Sequence, residues 1–358
     1  DYTGGGCPHI LAEPQRTNLI KYSESFDSWY AKNYVTVAEN TSETISPSGN
    51  NTASKITINS VSTVRRLYEL ISASSGSDYT FTLYAKKGTT DFIKLFFTSS
   101  IIDAEFNLTN GTVISEDAAH TATIKDYGNG WYKCSITFTL NASRSGSVFY
   151  GTNDTLIFTG VSGNGVYIWG AQVEQKSYAT SYIPTDGASA TRNQELCYDA
   201  TPVINSEEGT LYAEISALGL ESSSSLGVSD GSGSNRVLIL LQSNGDIRGF
   251  IASNGVIVFD EIYSGISALN NNKIAISYKL NNFTLWINGV KIFTDTSGNT
   301  PIGLSELSFD NGSGASNFFG NTKDLKYYPK ALADVQLEAL TSFVSFTEMA
   351  NALNYTII

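Results

Sequence analysis

GVYIWGAQVEQKSYATSYIPTDGASATR, residues 165–192, begins as an aromatic, β-prone run and dissolves into small polar residues. A strand places side chains on alternate faces, so Tyr167, Trp169, Ala171 and Val173 should share one face. Three roles compete for Trp169: a platform on which a sugar stacks, a core residue, or the last large side chain of a module. Sharing a face with Ala171 and Val173 favours core or sheet packing. The polar tail then reads as the place where the chain leaves one module for the next.

Working outward, strand follows strand from about Arg16 to Ile183. RRLYELI (65–71), DYTFTLYAKKG (78–88), DFIKLFFTS (91–99), AEFNL (104–108), GWYKCSITFTL (130–140) and SVFYG (147–151) precede the quoted run. In the fifth of these Tyr132, Cys134, Ile136 and Phe138 alternate with Lys133, Ser135 and Thr137, the period of a half-buried strand. Asn110-Gly111 and Asn129-Gly130 supply tight turns. A second β-rich region holds GTLYAEI (209–215), RVLILLQ (236–242), IRGFIA (247–252), VIVFDEI (256–262) and the meander KIAISYKLNNFTLWINGVKIFTDT (273–296). Its turns are expected at Asn281-Asn282 and Asn288-Gly289. The period then lengthens: Val335, Leu337 and Leu340 have helical spacing, and Ser345 with Glu348 form a capping box. The fold class expected is all-β, two tandem β-sandwiches of jelly-roll type with short C-terminal helices.

Composition narrows the function. Apolar residues make up 41% and charged residues only 16%, with 20 Tyr and 18 Phe against 7 Pro and 1 Met. The net charge is −12, from 22 basic and 34 acidic residues. Arg65-Arg66 and Lys86-Lys87 are the longest basic runs, which argues against nucleic acid as a partner. No apolar run approaches the roughly 20 residues that span a bilayer, so no membrane insertion is expected. The first residue is Asp1 and no signal segment opens the chain; it reads as a fragment or processed product lacking an N-terminal anchoring region. Cys134 reads as a core residue; Cys7 and Cys197 bracket the first half and could meet, with free thiols the preferred reading.

Catalytic patterns are weak. A retaining glycosidase needs two carboxyls about 5–5.5 Å apart. Glu214 has no acidic partner on its strand, Asp260 and Glu261 face opposite ways, and Asp103 with Glu105 sits in a strand rather than a cleft. His9 and His120 lie in polar surroundings with no partner that makes a triad. No zinc spacing, P-loop or dinucleotide fingerprint is present, and no catalytic, metal or cofactor residue is assigned. Oxygen-rich loops at Asp230–Asn235 and Asp310–Asn317 are candidates for a structural calcium. Sugars stack on Trp and Tyr while Asn, Asp and Gln bond their hydroxyls. On that logic Trp29, Tyr30 and Tyr34, set among polar residues, and Trp286, on the outer side of its sheet, are the candidate carbohydrate-binding residues.

Two segments resemble a family. LAEPQRTNLIKYSESFDSWY (11–30) resembles the opening of a sandwich domain common in bacteriophage fibres and spikes: Leu11, Glu13, Pro14, Gln15, Arg16, Thr17, Asn18 and Leu19 match its motif, and Tyr22-Ser23 follow. Trp169–Gln172 and Thr180–Thr185 match its closing strand and tail, and GNGWYKC (128–134) a further landmark. DYTGGGCP (1–8) resembles the lead-in of such appendages. GTLYAEI, NNKIAISYKLNNFTLWINGVK and GNTKDLKYYPKALADVQLEALTS (320–342) resemble a laminin-G-like, concanavalin A-like domain, with Ala333 where that family often has a serine cap. The resemblance divides the chain into a lead-in (1–15), a carbohydrate-binding-module-like sandwich (16–185), a linker (186–205), a concanavalin A-like sandwich (206–342) and a helical tail (343–358). It implies a non-enzymatic phage structural protein, a tail fibre, head fibre, spike or capsid decoration on the virion surface, assembled in the host cytoplasm. Implied partners are further copies of itself, most often as a trimer, other virion proteins, and a glycan or receptor of the host surface. Two alternatives stand beside it: a polysaccharide-degrading enzyme or its binding module, and an architectural virion protein with no ligand.

Overall fold

The computed structural model describes residues 9–59, 66–98, 101–116, 118, 120–140, 144–151, 163–198 and 200–356. Cys7, the rest of DYTGGGCP and Arg65 lie outside them. The chain is all-β with two short C-terminal helices. It divides into two compact units, Gln15–Asn193 and a discontinuous one of Asp1–Pro14 with Gln194–Ile358.

The first unit is a sandwich of two six-stranded antiparallel sheets. One runs in the order His120–Gly128, Trp131–Thr139, Asp78–Lys86, Gly165–Gln175, Ser54–Ile58, Val35–Ala38. The other runs Thr112–Glu116, Ile101–Asn107, Phe92–Thr98, Arg144–Gly151, Arg66–Ala73, Ala31–Asn33. Alternation sets the core: Phe81, Leu83, Ile136, Phe138 and Val166 of the first sheet meet Ile93, Leu95, Phe97 and Phe106 of the second. Cys134 joins them, and burial pushes its thiol well above the ordinary range. Asn129 and Gly130, both left-handed at φ 52° and 78°, make the tight turn that the Asn-Gly pair predicts.

The opening stretch holds a correction. Gly170 is left-handed at φ 63°, and the register on Asp78–Lys86 shifts between Trp169 and Gln172. Such a bulge reverses the alternation. Ala171 and Val173 therefore face the core, while Trp169 faces outward with Tyr167 onto Tyr84, Trp131, Ala53 and Tyr182. Trp169 is still buried, and its Nε1 donates to Thr52 Oγ1 at 2.9 Å.

The same bulge receives a polar clasp from both ends of the unit. Asn18 is fully buried; its Nδ2 donates to the Ala171 and Ile183 carbonyls at 3.1 and 2.9 Å. Its Oδ1 accepts from Ile20 N at 3.0 Å and Val173 N at 3.1 Å. Gln172 Oε1 accepts from Ile183 N at 2.7 Å. Glu174, fully buried, accepts from Gln172 Nε2, Thr180 N and the Thr180 hydroxyl. Ser23 joins Tyr182 and Thr185. Each of these atoms would otherwise be an orphan donor or acceptor in a dry interior. Residues 18–23 and 171–185 are thus, in space, one hydrogen-bonded device.

The second unit pairs a six-stranded sheet, Ile10–Ala12, Gly320–Tyr328, Glu208–Ala217, Asn272–Lys279, Asn282–Ile287, Val290–Asp295, with a five-stranded one, Val256–Tyr263, Ile247–Ser253, Arg236–Leu241, Ser224–Ser229, Glu306–Ser308. All named pairings are antiparallel, including Ile10–Ala12 on Gly320–Thr322. Leu211, Ile215, Ile276, Phe283 and Leu285 pack against Val228, Val237, Ile239, Ile251 and Phe259. The first meander turn falls at Leu280-Asn281, not Asn281-Asn282: Asn281 alone is left-handed there, and Lys279 pairs with Asn282.

Helix α1 (Asp334–Thr341) lies on the outer face of the six-stranded sheet, with Leu337 over Tyr212, Ala275 and Trp286. Val335, expected on the same stripe, is exposed. Ala333 supplies no side-chain cap, but Gln336 Oε1 accepts from Ala333 N at 3.0 Å, half of a capping box. Helix α2 (Phe346–Ala352) carries the cap predicted for it: Ser345 Oγ accepts from Glu348 N at 3.0 Å.

Candidate functional site

The aromatic residues nominated for sugar binding part company. Trp29 is 4% exposed; its ring packs on Phe26 in the core and its Nε1 donates to the Tyr22 carbonyl at 2.7 Å. Trp286 is 5% exposed beneath α1, which covers the outer face where it was expected to stand free. Neither ring offers a face to a ligand: one is packed into the core and the other lies under α1. Tyr30 and Tyr34 are open, at 65% and 52% exposed. Tyr30 leans on Tyr68 with ring centroids 5.5 Å apart, and Tyr34 is left-handed at φ 55°. They line neither cleft described below.

The carboxylates weighed as catalytic are mostly engaged. Asp103 pairs with Lys94 at 3.1 Å, Glu214 with Lys323 at 2.8 Å, and Asp260 takes Arg248 in a two-point contact at 2.6 and 2.7 Å. The oxygen-rich loops are knitted internally. Asp230 accepts from Ser232 N, Ser232 Oγ and Asn235 Nδ2. Burial pulls its carboxyl upward, but those hydrogen bonds outweigh it and hold it below the usual range. Among the described residues no group of three or more His, Cys, Asp and Glu is placed to hold a metal ion.

Among the described residues each unit carries a cleft. In the second unit a cleft of about 350 Å³ is lined by Leu196, Tyr198, Glu306, Phe309, Asp310 and Asn317 among others. One wall is the segment that follows Asn193. It is tied down at Glu195, which exchanges backbone and side-chain bonds with Glu13 at 2.9 and 2.8 Å. Further on, Cys197 O accepts from Phe309 N at 2.7 Å and Ala200 bridges Leu307. The opposite wall is the 309–317 loop. Gly312 is obligatory there: a Cβ would stand 2.7 Å from that of Ser229. Asp310 Oδ1 accepts from Gly312 N at 2.6 Å and Ser308 Oγ at 3.0 Å, and Glu306 Oε1 from Ser229 Oγ at 3.1 Å. Asp310 Oδ2 and Glu306 Oε2 accept nothing among the described residues. Tyr198, 61% exposed, stands at the rim.

In the first unit a cleft of about 390 Å³ lies between the 44–49 loop and the 127–131 turn, with Lys86 on its floor. Trp131 Nε1 donates to the Ile45 carbonyl at 2.8 Å and so fixes one wall to the other. Tyr127, 48% exposed, is held edge-on by Tyr84 at 4.9 Å. Lys86 Nζ donates to the Asn129 carbonyl at 2.7 Å.

Neither cleft was read as one in the sequence, although the Asp310–Asn317 loop that walls the second unit's cleft was singled out as a calcium candidate. GNGWYKC marks the turn of the second cleft but not the ring before it, and Tyr198 sits in a polar stretch with no period. A tyrosine next to a Gly-Asn-Gly turn is the one usable signal, because such a turn displays its flanking side chain.

No family model matches the chain, and no curated protein matches it. Several solved structures resemble part of it. The CBM40 module of Ruminococcus gnavus IT-sialidase bound to α2,3-sialyllactose is 17% identical, with a TM-score of 0.34 over 38% of this chain and 84% of that one. The leech intramolecular trans-sialidase complexed with 2,7-anhydro-Neu5Ac is 19% identical, with a TM-score of 0.33 over 40% of this chain and 24% of that one. The heptameric SAP-like pentraxin of Limulus polyphemus is 12% identical, with a TM-score of 0.34 over 42% of this chain and 77% of that one. Partial likenesses of this order carry no argument about ligand or activity. The fold and the clefts define a class, a tandem β-sandwich protein with an open polar-aromatic cleft in each sandwich.

Proposed function

We propose that this chain is a non-catalytic attachment protein of a bacteriophage virion, a fibre, spike or capsid decoration, whose sandwiches take glycans of the host surface. The observation that carries the glycan reading is the cleft of the second unit. It sets an open aromatic ring, Tyr198, beside carboxylate oxygens of Asp310 and Glu306 that no donor among the described residues uses. A sugar presents an apolar face and a rim of hydroxyl donors, which is the complement of that arrangement. The virion reading rests on the resemblance of residues 11–30 and 165–185, which the fold joins into one clasp. For self-association the reading draws on the exposed apolar side chains Val335, Val344 and Phe346.

The test is a glycan array read with the full chain, Tyr198→Ala and Asp310→Asn. Retention of a glycan by the wild type, weakened at least about tenfold in both variants, supports the reading. No retention of any glycan removes it. Antibody to the chain should decorate intact particles in electron micrographs. A second reading, a polysaccharide-degrading enzyme, draws on Glu306 and Asp310 lining one cleft; release of reducing ends by the wild type and not by Glu306→Gln would replace the first reading with it.

A further inference from the structure

We infer that the cleft of the first unit is a separate site selective for acidic sugars, those bearing a carboxylate. The inference rests on the glycan-attachment reading and adds a second site of different ligand class. Its first support is charge. Lys86 is the one charged residue among those lining the cleft. The chain carries 34 acidic against 22 basic residues, and most of its half-buried or buried lysines among the described residues are claimed by a carboxylate: Lys55 by Glu43, Lys94 by Asp103, Lys273 by Glu348. Lys86 has no carboxylate partner among the described residues; its one bond is to the neutral Asn129 carbonyl. The acids nearest in the flanking segments are turned elsewhere. Glu43 is taken by Lys55 at 2.7 Å and Tyr167 at 2.8 Å, and Asp126 Oδ1 by Gly128 N at 2.8 Å.

Its second support is construction. Gly128, Asn129 and Gly130 are all left-handed, at φ 84°, 52° and 78°. A Cβ at Gly130 would lie 3.5 Å from Lys86 Cε, so the lysine stem runs directly beneath the turn with its ammonium fixed on the turn carbonyl. Tyr127 is buttressed by Tyr84, and Ile45 and Trp131 are tied across the cleft. A platform ring beside a positioned ammonium, with two of its three protons uncommitted, suits a sugar ring that carries a carboxylate. The cleft of the second unit, by contrast, is lined by two carboxylates and no base, and would repel the same ligand.

The experiment titrates the full chain, Lys86→Gln, Lys86→Arg and Asp310→Asn with uronic-acid and sialic-acid oligosaccharides, each paired with its carboxyl-reduced form. The inference expects at least one acidic form to bind the wild type and Asp310→Asn alike, with affinity that falls as salt rises. Lys86→Gln should weaken it at least about tenfold, Lys86→Arg should restore most of the loss, and the carboxyl-reduced form should bind no better than the acid binds Lys86→Gln. Equal binding of acid and reduced forms, no loss in Lys86→Gln, or no binding of any acidic form overturns it. If neutral glycans still bind and Asp310→Asn abolishes that, only the acidic site is lost; if no glycan of any class binds, the attachment reading falls with it.

Discussion

The two sandwiches cover the outer face of a sheet in opposite ways. The first does it with polar atoms: Asn18, Gln172, Glu174 and Thr180 lock two chain segments onto a bulged strand through side chains that satisfy named backbone groups. The second does it with a helix whose buried Leu337 rests on Tyr212, Ala275 and Trp286. A polar clasp works only if each donor meets its acceptor, so few residues can replace any member. An apolar lid asks for volume and tolerates many. That difference explains why the first unit leaves short, specific motifs in the sequence while the second leaves only an outline of a fold.

Breaking the clasp should have the largest effect. Asn18→Ala removes four hydrogen bonds and leaves the N–H groups of Ile20 and Val173 and the carbonyls of Ala171 and Ile183 without that partner. The expected loss is about 3 kcal/mol or more. Asn18→Asp, nearly the same shape, should cost as much, because it replaces a donor by a buried charge. Calorimetry of the full chain should show a lowered transition for the first unit and an unmoved one for the second. A small effect of Asn18→Asp would show that shape alone holds the segments together, and the contrast between clasp and lid would collapse.

The lid should yield less and forgive more. Leu337→Ala leaves a cavity over Tyr212 and Trp286 and should destabilise the second unit by about 2–3 kcal/mol. Leu337→Met keeps the volume and should cost under about 1.5 kcal/mol. Circular dichroism melts of both variants against Asn18→Asp sharpen the comparison: a conservative change is ruinous in the clasp and mild in the lid.

How much of this could be read in the sequence follows from the same distinction. The alternation of Tyr132, Cys134, Ile136 and Phe138 is carried by consecutive residues of one strand, and the structure places Cys134, Ile136 and Phe138 in the core with Tyr132 against it. The facing of Trp169 could not be read, because one left-handed glycine reverses the phase within the strand. Trp29 looked like a surface residue because its neighbours in sequence are polar, and Trp286 because it shares a strand face with Thr284; the core around Phe26 buries the one and α1 the other. Ile10–Ala12 is too short to show a period, so its pairing with Gly320–Thr322 left no trace. The clefts are worse still. Residues 44–49, 86 and 127–131 meet only through the sheet, and Tyr198 meets Asp310 only because Cys197 and Ala200 pair with the Leu307–Phe309 edge.

The smallest effect concerns a charged contact in the second unit, the ion pair that holds α2. Lys273, almost fully buried, holds Glu348 of α2 at 2.8 Å, and Glu348 Oε2 accepts from Val344 N at 2.7 Å. Partial burial pulls the Glu348 carboxyl upward, but the bonds from Lys273 and Val344 prevail and leave it below its ordinary value of 4.5. A carboxyl whose folded value lies below its unfolded one binds protons more readily when released. Its contribution is therefore complete above about pH 4.5 and is lost as pH falls through the lower, folded value. The amide-exchange protection of residues 346–352, taken relative to the intrinsic rate at each pH, should fall below pH 4.5 in the wild type. Glu348→Gln should exchange faster at neutral pH and respond less to acid. Because Glu348 remains open to solvent, the gain should be modest and should shrink in high salt. Acid-insensitive protection in the wild type would show that the Lys273–Glu348 pair does not hold α2.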